Sequence, residues 1–122
     1  MRALATGLIG LTCLAASAAG AQSPAEADYA LQCRGCHGPD GAGVAGHVPS
    51  LRGVAALLAT PAGRARLLAV PGVRQASLSD ERLAALLAWT AVAFAPPGKA
   101  PPFAPLSAAE VARYRGTSQM LR

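Results

Sequence analysis

Cys33-Arg34-Gly35-Cys36-His37 constrains this chain more than any other five residues in it. Two thiols separated by two residues can reach the two vinyl groups of one haem and form thioethers, and the adjacent imidazole then lies against the iron as its proximal ligand. A chain built on that pattern has to wrap a large, flat, apolar group, which makes Cys33, Cys36 and His37 the first candidate site residues. Other uses of the five residues fit less well. A structural zinc site needs four ligands, and after Cys36 the sequence holds no cysteine and only His47 as a further histidine. A redox dithiol of the thioredoxin kind sits in a strand–helix–strand setting, whereas the sequence around this one is rich in Ala and Leu and poor in β-branched runs. A plain disulfide would leave His37 without a role.

The N-terminus points to export. Arg2, an uncharged apolar stretch from Ala3 to Ala16 and the small residues Ala19-Gly20-Ala21 read as a secretory signal over residues 1–21, cleaved after Ala21. The stretch is short and rich in Ala, Gly and Thr for a membrane span, which leaves an uncleaved anchor as the lesser alternative, and no stable membrane insertion is expected after cleavage. Cys13 lies inside it, after Gly10-Leu11-Thr12, and reads as apolar filler removed with the signal. About 100 residues remain, one domain whose own core would be marginal. A haem would give its few aromatics, Tyr29, Trp89, Phe94, Phe103 and Tyr114, an apolar surface to wrap. Losing Arg2 lowers the formal charge from +5 to +4. No basic run is interleaved with aromatics, so nucleic acid is not an expected partner.

Along the mature chain the pattern is all-α. Ser23 and Pro24 open a helix to Gln32, with Glu26 and Asp28 in its first turn. Residues 38–53, with five glycines in Gly38 to Gly53, read as a loop. It lacks the preceding strand and the Lys-Ser/Thr pair of a phosphate loop, and its glycines are read as close approach of backbone to haem. Thr60-Pro61 opens a second helical stretch to about Val70, which Pro71-Gly72 closes. The strongest helix starts near Ser79, with Asp80 and Glu81 in its first turn and Leu83, Leu86, Leu87, Thr90, Ala91 and Phe94 on one face. Residues 96–105 form a Pro-rich strap. Ser107-Ala108-Ala109-Glu110 is a capping box, with Leu106 and Val111 as a hydrophobic staple, for a last short helix to about Arg115. Gly116 ends it and residues 117–122 form a tail.

With the motif and helices in place, the chain resembles a class I monohaem c-type cytochrome, a small bacterial periplasmic electron-transfer protein, over about residues 24–95. Tyr29 stands one helical turn before the first cysteine, where that family carries an aromatic. Pro49, with Leu51 and Gly53 after it, matches the segment whose proline carbonyl holds the proximal imidazole by its other nitrogen. Leu78 to Phe94, with Trp89, resembles the closing helix that crosses the first. The resemblance implies an all-α cytochrome c-like domain over 22–95, wrapped round one covalent haem c. Residues 96–122 then form a Pro-rich extension with a short helix.

The chain departs from the family at the sixth iron ligand. Family members supply a methionine from the loop before the closing helix, but Pro71 to Ser77 contains none. Met120 is the only methionine left after signal removal, and it is the distal candidate if the strap folds the C-terminus over the haem. An open site, or a weak ligand such as Gln75 or water, are the alternatives; His47, two residues before Pro49, reads as a structural or surface residue. The resemblance implies a carrier of single electrons between a dehydrogenase or other redox partner and an oxidase or other acceptor. A haem protein binding a small gas, or a cytochrome subunit of a larger oxidoreductase, are the rivals. G-x-S-x-G and H-E-x-x-H are absent and no carboxylate pair has acid–base spacing, so catalysis by the polypeptide is not expected.

Overall fold

A computed structural model describes residues 22–116. The expected signal segment 1–21 and residues 117–122, including Met120, lie outside the described residues. Seven α-helices and one short 3₁₀ turn make up the described fold, and its only β-type pairing is an isolated bridge between Val44 and Val48. The all-α reading is therefore the observed class.

Helix starts follow local capping chemistry. Ser23 Oγ accepts the Glu26 N–H at 3.2 Å, and Pro24 begins α1 (Pro24–Gln32). Thr60 Oγ1 does the same for Gly63 at 3.1 Å ahead of α4 (Pro61–Ala69), and Ser79 Oγ for Arg82 at 3.3 Å ahead of α6 (Asp80–Ala93). Each cap satisfies one amide that the first helical turn leaves without a partner. Ser107 Oγ accepts the Glu110 N–H at 3.1 Å before α7 (Ala108–Gly116).

Four features differ from the sequence-based expectation. The haem motif itself is helical, as the single turn α2 (Arg34–His37). Ser50 caps a 3₁₀ turn, Leu51–Gly53, that runs into α3 (Val54–Leu58), a helix whose Val54, Ala55 and Leu58 are buried. Pro71 does not close the preceding helix. It occupies the first turn of a separate helix, α5 (Pro71–Arg74), because a residue without an N–H fits where no intrahelical donor is required. At α7 only half of the capping box forms, since the Glu110 carboxylate faces Arg64 across the fold instead of turning back to its own cap.

One core holds these elements together. α1 packs on α6, α6 also packs on α3 and α7, and α4 packs on α3 and α7. Leu58, Leu68, Leu83, Leu86 and Val111 are its most deeply buried large apolar residues. At the α1–α6 contact Tyr29, Trp89 and Phe94 form a cluster with ring centroids 4.9 to 5.5 Å apart. Those tilted and edge-on pairs suit the ring quadrupoles. Asp28, fully buried on α1, accepts from both the Nε and the guanidinium end of Arg82 on α6, so the same contact carries a charged clamp.

The strap and last helix belong to this core. Leu106 and Val111 are both buried in it. Arg64 on α4 donates to Leu58 O (3.1 Å), Ala104 O (2.7 Å), Pro105 O (3.3 Å) and both carboxylate oxygens of Glu110 (2.8 and 2.7 Å). At the other end of α7, Arg115 donates to Ala76 O, Leu78 O and Asp80. Two arginines thus fasten the C-terminal segment at both ends.

Candidate functional site

The residues of the motif meet at an apolar cleft. Cys33 is half-buried and Cys36 exposed, both as free thiols, and with His37 they line one edge. Leu51 and Val54 come from the turn into α3, Leu67 from α4, Val70, Gly72, Val73 and Ala76 from α5 and its flanks, and Leu83, Leu86 and Leu87 from α6. Every helix except α7 therefore contributes to, or directly flanks, the walls.

The loop after the motif is folded to aim one carbonyl. Gly43 N–H donates to His37 O at 2.9 Å, Leu51 N–H to Gly41 O at 2.8 Å, and Val44 and Val48 exchange amide–carbonyl bonds at 2.9 and 2.8 Å. These bonds bring Pro49 O to 2.9 Å from His37 Nδ1. A carbonyl can only accept, so Nδ1 carries the proton and Nε2 is left with its lone pair. An imidazole fixed in that tautomer is a positioned metal ligand.

The glycines of this loop have a different role from the one expected. A Cβ on Gly43, at φ +69°, would lie 2.7 Å from Pro49 O and inside contact with Val48 O, and one on Gly41, at φ +65°, would strike the Phe94 ring. The close approach is to the protein's own backbone and aromatic cluster, so the loop closes on itself before it meets any cofactor. Gly43→Ala is expected to displace Pro49 O from His37. It should cost about 1–3 kcal/mol of stability from strain and overpacking, read by chemical denaturation, and shift the His37 ring resonances in NMR.

The alternatives to haem lose ground on the same geometry. Among the described residues, no group of three or more His, Cys, Asp or Glu side chains could hold a metal ion, so the zinc reading finds no ligand set there. Burial, followed by the Asp28 carboxylate and then Cys36, raises the Cys33 thiol above its ordinary value. A redox dithiol needs a depressed, thiolate-rich cysteine, and Cys33 is shifted the other way. Tyr29 is also held protonated, first by burial and then by Cys33 and Asp40, and its hydroxyl donates to Gly38 O at 2.5 Å, tying α1 to the end of the motif.

The arrangement fits a haem: paired thiols and an imidazole with one free lone pair stand at the edge of a cleft walled by hydrocarbon. A family model, Cytochrome c, matches residues 23–113. The chain belongs to the cytochrome c family. Membership brings covalently bound haem c and haem-based electron transfer, the role of an electron carrier. No curated protein and no solved structure matches the chain. The match reaches past the strap into α7, in keeping with a C-terminal helix that packs inside the cytochrome core. His47 is exposed on the turn between Val44 and Val48, and Gln75 is exposed at the end of α5. Neither lines the cleft of this cytochrome c.

Sequence reading passed over Arg64, Arg82 and Arg115, which position the helices around the site. Their carboxylate partners lie 35 to 54 residues away along the chain. No local pattern carries such pairs.

Proposed function

We propose that this chain is an exported, periplasmic monohaem cytochrome c that carries single electrons between a dehydrogenase or other donor and a terminal acceptor. The observation that carries the reading is the His37 Nδ1 to Pro49 O bond at the edge of the thiol-bearing apolar cleft. A covalently bound haem supplies an iron that alternates between ferric and ferrous states, one electron at a time. Cys33 and Cys36 would tether it, and His37 would present Nε2 to it while Pro49 O fixes the ring. The walls from α3 to α6 exclude water, and a low-dielectric surround of that kind is one of the protein's controls over redox potential.

Cys36 is exposed at the rim, which supports a tethered edge near solvent that a partner could approach. Such encounters are brief and of small area. Among the described residues no helix is long and apolar enough to cross a membrane. Film voltammetry of the purified, matured protein tests the function. A reversible one-electron wave is expected; a pigmented protein with no reversible wave would remove the carrier role.

A further inference from the structure

The cleft holds few atoms that can ligate a metal. Among the described residues lining it, Gln32, Cys33, Cys36, His37 and Thr90 alone carry side-chain sulfur, nitrogen or oxygen. The two cysteines and the histidine are committed in the reading above. Gln32 Oε1 accepts the Ser77 N–H at 3.3 Å, and the Thr90 hydroxyl donates to Leu86 O at 2.8 Å. The stretch around α5 offers only Val70, Gly72, Val73 and Ala76 to the cleft, which is hydrocarbon and bare backbone.

We propose that these walls leave the second axial position of the haem to a small neutral molecule from solution, a diatomic π-acceptor of the carbon monoxide or nitric oxide kind. The inference rests on the haem reading and adds a ligand class and a regulation to it. A neutral diatomic enters an apolar cleft without losing charge hydration. Azide would shed its water in a cleft lined almost wholly by hydrocarbon, where Gln32 Oε1 and the Thr90 hydroxyl are already engaged. Distal polarity and donors set which ligands a haem accepts, and these walls select against anions. A π-acceptor binds reduced iron more tightly than oxidised iron, so by reciprocity its binding holds the carrier reduced and slows delivery of the electron.

The competing occupant is the thioether of Met120. Arg115 stands five residues before it, bonded to the carbonyls of Ala76 and Leu78 beside the cleft. The experiment separates the two. Matured wild type, Met120→Leu and Val73→Phe are compared by absorption and paramagnetic-resonance spectra, with carbon monoxide added to the reduced forms and azide to the oxidised forms. The proposal expects a high-spin oxidised wild type and stoichiometric carbon monoxide binding when reduced. Azide should leave the spectrum unchanged at about a hundredfold excess. Met120→Leu should behave as wild type, and Val73→Phe should slow carbon monoxide association by about tenfold or more by filling the cleft. A low-spin wild type inert to carbon monoxide, with Met120→Leu becoming reactive, would overturn it in favour of the tail. An unchanged rate in Val73→Phe would overturn the assignment of this wall. Both failures leave a pigmented protein, whereas failure of the haem reading gives a colourless one.

Discussion

Replacing Cys33 and Cys36 together with Ser is expected to abolish covalent pigment, while either single replacement leaves one thioether and a protein with altered absorption and reduced yield. The effect is large because the haem is part of the core. Leu83, Leu86 and Leu87 face the cleft on α6, and Leu67 faces it on α4, so without the macrocycle these side chains line an apolar hole. A tethered haem stays on the unfolded chain as well, so it stabilises the fold through the apolar surface that is buried only when the helices close on it. Loss of that filling should lower the midpoint of thermal unfolding well beyond the effect of one core truncation, which is about 2–5 kcal/mol. Haem-stained denaturing gels and calorimetry of the three variants check both parts. His37→Ala separates tethering from ligation, since its thioethers should form while the axial nitrogen signature disappears.

Arg64→Met is expected to cost about 3 kcal/mol, through breaking a mostly buried ion pair and leaving its acceptors unpaired. The Arg64 and Glu110 side chains are 15% and 19% exposed, and Arg64 also holds three backbone carbonyls from α3 and the strap. Removing the cation leaves the Glu110 carboxylate and Leu58 O without their partner in a partly buried place, while the exposed Ala104 and Pro105 carbonyls can turn to water. Denaturant titration reads the loss, and Arg64→Met with Glu110→Leu should recover part of it, because the stranded charge is gone. Acid should act on the same pair. The hydrogen bonds from Arg64 hold the Glu110 carboxyl below its ordinary value. A depressed folded-state value means that the contribution is fully present above the ordinary, unfolded value and is lost as pH falls through the lower, folded one. The wild type should therefore lose more stability on acidification below about pH 4.5 than Glu110→Gln does.

How much the sequence disclosed depended on how local the cause was. Ser23, Thr60, Ser79 and Ser107 announced four helices because a cap bonds an amide three residues on. The motif was equally local, whereas Pro49, twelve residues beyond His37, came only from the resemblance to the family segment that holds the imidazole. α3 was hidden: five residues, Val54-Ala-Ala-Leu-Leu58, are too few to show a helical period, and burial against α4 and α6 stabilises them instead. Asp28 illustrates the same limit. Read as a first-turn acid, it is a buried carboxylate paired with Arg82, 54 residues along the chain. Pro71 was read as a stop because proline both ends and begins helices, and only the packing of α5 on α4 decides which.

Denaturation of the exported, matured protein in acid and organic solvent, followed by intact-mass measurement, tests the central claim most directly. The account predicts that the pigment stays with the polypeptide, that the mass rises by one haem, and that Cys33 and Cys36 no longer react with a thiol reagent. A colourless polypeptide of unmodified mass with two titratable thiols would contradict it.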